Sequence, residues 1–201
     1  MPDDLPDAPA TGRNRDPILA VLREQFAECT HVLEIGSGTG QHAVHFAAHL
    51  PHLNWQTSDL AENHAGIHAW IAASKLTNVA PPLTIDAADP ATWPDRRFDA
   101  VFSANTLHIM GWPQVLALFA NLPRVVVHGA RLVIYGPFNV GGKYTAPGNE
   151  AFDARLRSDD PQRGIRDLEA VQALAAKAGF EFLADIDMPA NNRCLAWRYS
   201  P

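Results

Sequence analysis

Glu34, Gly36, Gly38 and Gly40 stand at alternate positions in the run HVLEIGSGTGQ (31–41), and their types suit a ligand-binding bend. Val32, Leu33 and Ile35 form a short apolar run before the bend. Ala43, Val44, Phe46, Ala47 and Leu50 follow it at helical spacing. The glycines therefore join a buried strand to the N-terminus of a helix. Such a bend lets a ligand lie against bare backbone, and the free N–H groups of the first helical turn supply donors. The spacing E-x-G-x-G-x-G differs from the G-x-G-x-x-G of dinucleotide sites, and an acid beside the bend suits a cation and repels phosphate. Asp59 lies 23 residues beyond Gly36, at the end of the alternating run LNWQTS (53–58). A carboxylate at that place accepts from both hydroxyls of a ribose.

Asn105 and His108 follow the apolar run FDAVFSA (98–104). In an open α/β sheet, ligands lie outside the carboxyl ends of the strands, so both residues point toward a reaction centre. His108, with an unperturbed pKa near 6.5, reads either as a general base for an O or N nucleophile or as a histidine hydrogen-bonded to the 137–149 loop. His42, His45 and His49 recur at the spacing of one helix face, but no H-E-x-x-H carboxylate accompanies them and no metal is expected. His42 and His45 are read as packed or solvent-facing.

The elements that position these residues alternate along the chain. Residues 1–12 carry prolines and aspartates with little to bury, and we read them as mobile without ligand. A helix opens at Asp16 and Pro17 and carries Ile18, Leu19, Leu22 and Phe26; Arg13 and Asn14 before it serve as a lid or as surface caps. Further helices are expected over 62–75, 112–127 and 165–178, the last stopped by Gly179, with strands over 82–85 and 130–135. Asp86 follows the first of these strands, as a ligand residue or a turn residue. Segment 136–165 is longer than a simple connection and is the candidate for substrate specificity, with a short helix over 149–157. Two strands, 180–188 and 193–199, close the sheet as an antiparallel pair. Residues 13–201 make a single α/β domain.

The E-x-G-x-G-x-G arrangement resembles motif I of the class I S-adenosylmethionine (SAM) methyltransferases. That resemblance implies a Rossmann-like sandwich with a seven-stranded, mostly parallel sheet ordered 3-2-1-4-5-7-6, one antiparallel strand and helices on both faces. It implies SAM as cofactor, with Glu34 near the methionine end and Gly36, Ser37, Gly38 and Gly40 beneath the ribose. Leu60 then stands beside Asp59, Asp86 faces the adenine amino group, Ala87 supplies a backbone N–H, and Asn105 completes the pocket. The longer runs RNRDPIL, LEIGSGTGQHAVHFA, PHLNWQTSDL, SANTLHIM, YGPFNVGGKYTAPGNEAFDARLR, GIRDLE and MPANN resemble an uncharacterised family of methyltransferase-like proteins, known as a domain of unknown function in bacteria and animals. The chain departs from that family at Gly36, where alanine is common. Methyl transfer from a sulfonium is an in-line displacement, so alignment and exclusion of water matter more than reactive side chains. Asn105, His108, Tyr144 and Asn191 would orient the acceptor, Tyr135 and Phe138 would form an apolar wall, and Arg13 would anchor an acidic group. Asn14 and Asn149 complete the substrate set.

The run ANTLHI (104–109) is not the N-P-P-Y type that holds an exocyclic amine of a nucleic acid, and no Pro-Cys pair offers a cytosine nucleophile. Sixteen basic against 22 acidic residues give a net charge of −6, which disfavours a polyanionic substrate and leaves a small molecule. Cys29 and Cys194 are single and form neither a metal pattern nor a disulfide framework. No apolar segment is long enough to span a bilayer and the first residues are not signal-like, so a cytoplasmic enzyme is expected. Two rivals share the sequence features: a catalytically silent SAM-sensing or partner-binding protein, and a nicotinamide-dependent oxidoreductase.

Overall fold

A computed structural model of the chain describes residues 5–201. Its elements are α1 (Pro9–Gln25), β1 (His31–Glu34), α2 (Gln41–His49), β2 (Asn54–Asp59), α3 (His64–Ser74), β3 (Val79–Thr84), β4 (Phe98–Ala104), α4 (Trp112–Val125), β5 (Val126–Asn139), α5 (Pro147–Asp159), β6 (Arg166–Asp167), α6 (Leu168–Lys177), β7 (Phe180–Met188) and β8 (Asn192–Tyr199). The sheet runs β3-β2-β1-β4-β5-β8-β7, with β6 paired to the far end of β5. Strands β1 to β5 pair in parallel, and β8 lies antiparallel to both β5 and β7.

The central strands are apolar on both faces because helices cover both. Val32, Ala100, Phe102 and Val133 pack on one side with Ile18 and Leu22 of α1 and Phe46 of α2. Their neighbours Leu33, Val101, Leu132 and Ile134 pack on the other with Leu118 and Leu122 of α4 and Val171 of α6. Period-two alternation thus assigns each strand residue to one of two cores. The order reverses at β1, whose neighbours are β2 on one side and β4 on the other. The loops leaving β1 and β4 therefore diverge and leave a crevice at their carboxyl ends.

Several boundaries differ from the sequence reading. The sheet has an eighth strand, because β5 continues four residues past Tyr135 and offers Phe138 and Asn139 as an edge for Arg166 and Asp167. For the same reason α6 starts at Leu168 rather than 165. Strand β3 starts at Val79, before Pro81 and Pro82, which an edge strand tolerates. Helix α1 starts at Pro9, inside the stretch read as mobile, and Pro17 lies within it. Pro9, not Pro17, is the proline of the first turn. The preceding residues are tied down: the Ala8 N–H donates to Gln41 Oε1 at 2.7 Å, and the Trp70 indole donates to the Pro6 carbonyl at 2.8 Å. Residues 1–4 lie outside the described residues. No helix among the described residues is long and apolar enough to cross a membrane.

Candidate active site

The bend after β1 is built around a buried acid. Glu34 is 1% exposed, and its Oε2 accepts from Ser37 Oγ at 2.8 Å and from the Trp55 indole N–H at 3.0 Å. Burial pushes its carboxyl up to about 7, against the lowering effect of those two hydrogen bonds. Ser37 Oγ in turn accepts the Ser58 N–H at 3.1 Å, and the Gly36 and Ser37 N–H groups donate to the Ser58 carbonyl. The bend is therefore stitched to the end of β2. Gly36 has φ +74°, and a Cβ there would meet Thr106 Oγ1 at 2.7 Å. Gly40 packs differently: a Cβ there would lie 3.0 Å from the Ile67 Cα, so its role is the close approach of α2 to α3.

Asp59 ends β2 with its carboxylate turned toward the bend. Its Oδ2 accepts the Gly38 N–H at 2.7 Å, and its Oδ1 accepts the Leu60 N–H at 2.7 Å and Asn63 Nδ2 at 2.8 Å. Beyond β3, Asp86 Oδ1 accepts the Ala88 N–H at 2.9 Å and the Asp86 N–H donates to Thr92 Oγ1. The Ala87 N–H between them has no partner among the described residues. Asn105, after β4, adopts φ +58°, and its N–H donates to the Tyr135 carbonyl at 2.8 Å.

These strand ends surround one cavity of about 610 Å³. Gly36, Ser37, Gly38, Asp59, Leu60, Asp86, Ala87 and Asn105 are on its wall; Glu34 and Gly40 are not. Glu34 faces inward to Trp55, and Gly40 faces α3. A Cβ at Gly38 would meet nothing within 4 Å, so the bend leaves open space there.

The other catalytic candidate, His108, and the substrate candidates lie off this wall. His108 is 5% exposed and behind the wall, its ring edge-on to Phe152 of α5 with centroids 5.2 Å apart. Burial, then the nearby Arg166, pushes it down to about 4. Neither sequence reading of His108 matches this position: the ring packs on α5, and its low pKa makes it a weak base at neutral pH. Tyr135 is buried beside Asn14 of α1, and Phe138 is part of the core. Tyr144 is 41% exposed and donates to Asp153 Oδ2 at 2.8 Å. Asn149 Nδ2 donates to Thr145 Oγ1 and to the Asn191 carbonyl. Arg13 is exposed on α1, and none of this set is on the cavity wall.

Thr11, His42, Ile109, Met110, Asp160 and Arg163 are on the wall and were missed. Ile109 and Met110 simply continue the run after β4 and were legible as such. His42 lies two residues past Gly40 in the first turn of α2, and its Nε2 is 2.8 Å from Asn14 Oδ1. Burial, then His45 and Arg15, pushes His42 down to about 4, so it faces the cavity as a neutral ring. His45 reaches Asp16 and His49 reaches the His45 carbonyl, so the three histidines serve different partners. Thr11, Asp160 and Arg163 carry no local signal; the tertiary fold brings them in.

Solved structures share this architecture. An O-methyltransferase family protein from Burkholderia thailandensis matches with a TM-score of 0.84 at 18% identity, over 95% of this chain and 57% of that one. Human N-acetylserotonin methyltransferase, solved with SAM, matches with a TM-score of 0.78 at 15% identity, over 96% and 53%. An O-methyltransferase from neocarzinostatin biosynthesis, solved with SAM and 2-hydroxy-5-methyl naphthoic acid, matches with a TM-score of 0.77 at 16% identity, over 94% and 54%. The chain spans about half the length of these proteins, and the likeness shows the fold: the Rossmann-like α/β sheet that these methyltransferases share. Residues 6–199 match the family model described as "Protein of unknown function (DUF938)", and the chain belongs to that family.

Proposed function

We propose that the protein is a cytoplasmic SAM-dependent methyltransferase whose acceptor is a small molecule. The observation that carries this reading is the presence of Asp59 and Asp86, at successive strand ends, on the wall of one cavity floored by the glycine bend. Asp59 would hold the ribose hydroxyls, Leu60 would cover the adenine, and Asp86 with the unpaired Ala87 N–H would take its polar edge. Asp59, Asp86 and Glu62 give the wall an excess of acids, while Asp160 is paired with Arg163 at 3.8 Å; that excess suits a sulfonium cation and opposes the pyrophosphate of a dinucleotide. When bound, SAM supplies a methyl group already activated on sulfur. The protein's part is then to align the acceptor at the crevice and keep water out, and Asn105, on the wall at the end of β4, is placed for the first task. Structures of this fold solved with SAM, and in one case with an aromatic acid, support both the cofactor and the acceptor class.

A silent SAM-binding protein is the second reading, favoured by the burial of His108 away from the wall. Thermal shift with SAM, S-adenosylhomocysteine (SAH) and NAD(P) separates the cofactor choices. Binding stabilises by about 2.7 kcal/mol at one hundred times the dissociation constant, so SAM and SAH should each raise the melting temperature. Stabilisation by NAD(P) alone would overturn the proposal. Repeated turnover of SAM to SAH in the presence of an acceptor would dismiss the silent reading.

A further inference from the structure

Arg166 is 8% exposed, and among the described residues it forms no ion pair. Arg157, Arg193 and Arg198 each meet a carboxylate, but the Arg166 guanidinium is spent on neutral carbonyls. Its Nε donates to the Leu107 carbonyl at 3.0 Å, and its Nη2 donates to the carbonyls of Met110 and, at 2.9 Å, Gln162. The guanidinium carbon lies over the Trp112 ring, 5.6 Å from its centroid. One buried cation thus joins the loop after β4 to the segment that follows α5. The Gly164 N–H adds a parallel bond to the His108 carbonyl at 3.0 Å.

Burying a guanidinium without a counter-ion is costly, and an apolar side chain would fill such a site at lower cost if filling were the only demand. What the planar fork supplies is a fixed geometry for two carbonyls three residues apart. The loop it holds is part of the cavity. Thr106, Ile109 and Met110 are on the wall, and Thr106 touches the glycine bend at the place where Gly36 has no side chain. Asp160 and Arg163, from the other side of the staple, are on the same wall.

We propose that Arg166 is a positioning residue that sets the shape of the SAM pocket by fixing the loop after β4 against segment 160–166. The proposal rests on the SAM-binding reading of the cavity. It also makes the long segment after β5 a structural partner of the cofactor pocket through Arg166, although Tyr144 and Asn149 of that segment are off the wall.

The test compares wild-type protein with Arg166→Gln and Arg166→Lys. SAH affinity is measured by calorimetry, and hydrogen exchange is followed over residues 105–112 in the unliganded protein, both well below the melting temperatures. Arg166→Gln is expected to weaken SAH binding about tenfold and to speed exchange over 105–112 while β1 and β2 stay protected. Arg166→Lys keeps the charge and one or two bonds, and should fall between the two in both readouts. A role confined to stability would lower the melting temperature and leave SAH affinity unchanged. If Arg166→Gln fails to fold, the lysine variant decides: binding within twofold of wild type with unchanged exchange overturns the proposal. Absence of SAH binding by wild-type protein would instead sink the SAM reading, and the exchange measurement would still test the staple.

Discussion

Gly36 and Glu34 show how single residues shape the bend. At φ +74° an L side chain is strained, and a Cβ at Gly36 would press on Thr106 Oγ1 and Cγ2 at 2.7 and 2.8 Å. Gly36→Ala should therefore cost on the order of 2 kcal/mol in denaturant unfolding. Adding Thr106→Ala should recover part of that loss, because only the contact and not the backbone strain is relieved. No recovery would mean that Thr106 is not the obstacle. Glu34 carries a pH signature. Its folded carboxyl titrates at about 7 against an ordinary 4.5, because burial outweighs the bonds from Trp55 and Ser37. Between those values the folded protein keeps a proton that the unfolded chain has released, so this residue's contribution to stability falls as pH rises and levels off above 7. The full effect is at most about 3 kcal/mol. Glu34→Gln removes it, so melts of variant and wild type from pH 4.5 to 7.5 should diverge in the variant's favour as pH rises. A pH-independent gap would contradict the raised value.

At the scale of elements, one carboxylate gathers several parts of segment 140–165. Asp153 of α5 is buried; its Oδ2 accepts from Tyr144 and from Arg157 Nε at 2.7 Å, and its Oδ1 accepts the Ile165 N–H at 2.6 Å. Tyr144 before α5, Arg157 within it and Ile165 after it converge on this carboxylate. Asp153→Ala should cost about 3 kcal/mol in chemical denaturation and expose 140–165 to proteolysis first. A loss under about 1 kcal/mol would show that the segment is held by other contacts. The strands that carry the cavity were legible because their apolar runs are local: β1, β2 and β4 fall close to the expected runs and β3 ends close to the expected place, so Asp59, Asp86 and Asn105 follow from the ends of β2, β3 and β4. What was not legible depended on contacts distant in sequence. The start of α1 is fixed by Gln41 capping Ala8, and the extension of β5 by pairing with β6. His108 and Tyr135 carry the residue types of a reaction centre, yet α5 and α1 cover them. Their strand-end positions gave the right loop but not the direction of the side chain.

For the whole molecule, the reversal of strand order at β1 puts one crevice at the carboxyl ends of the strands, and four strand ends contribute to its wall. The acids on that wall and the net charge of −6 favour a cationic ligand over a polyanion. The N-terminal helix and segment 160–163 add Thr11, Asp160 and Arg163 from opposite ends of the sequence, so the cavity is a product of the complete fold. Calorimetric titration of SAH into wild-type protein and Asp59→Ala tests the central claim most directly. We predict saturable one-site binding to the wild type and an affinity at least tenfold lower in the variant, the loss of about 1.4 kcal/mol or more that accompanies removal of a charged hydrogen-bond acceptor. Folded wild-type protein that takes up no SAH, or Asp59→Ala that binds it as tightly as wild type, would contradict the account.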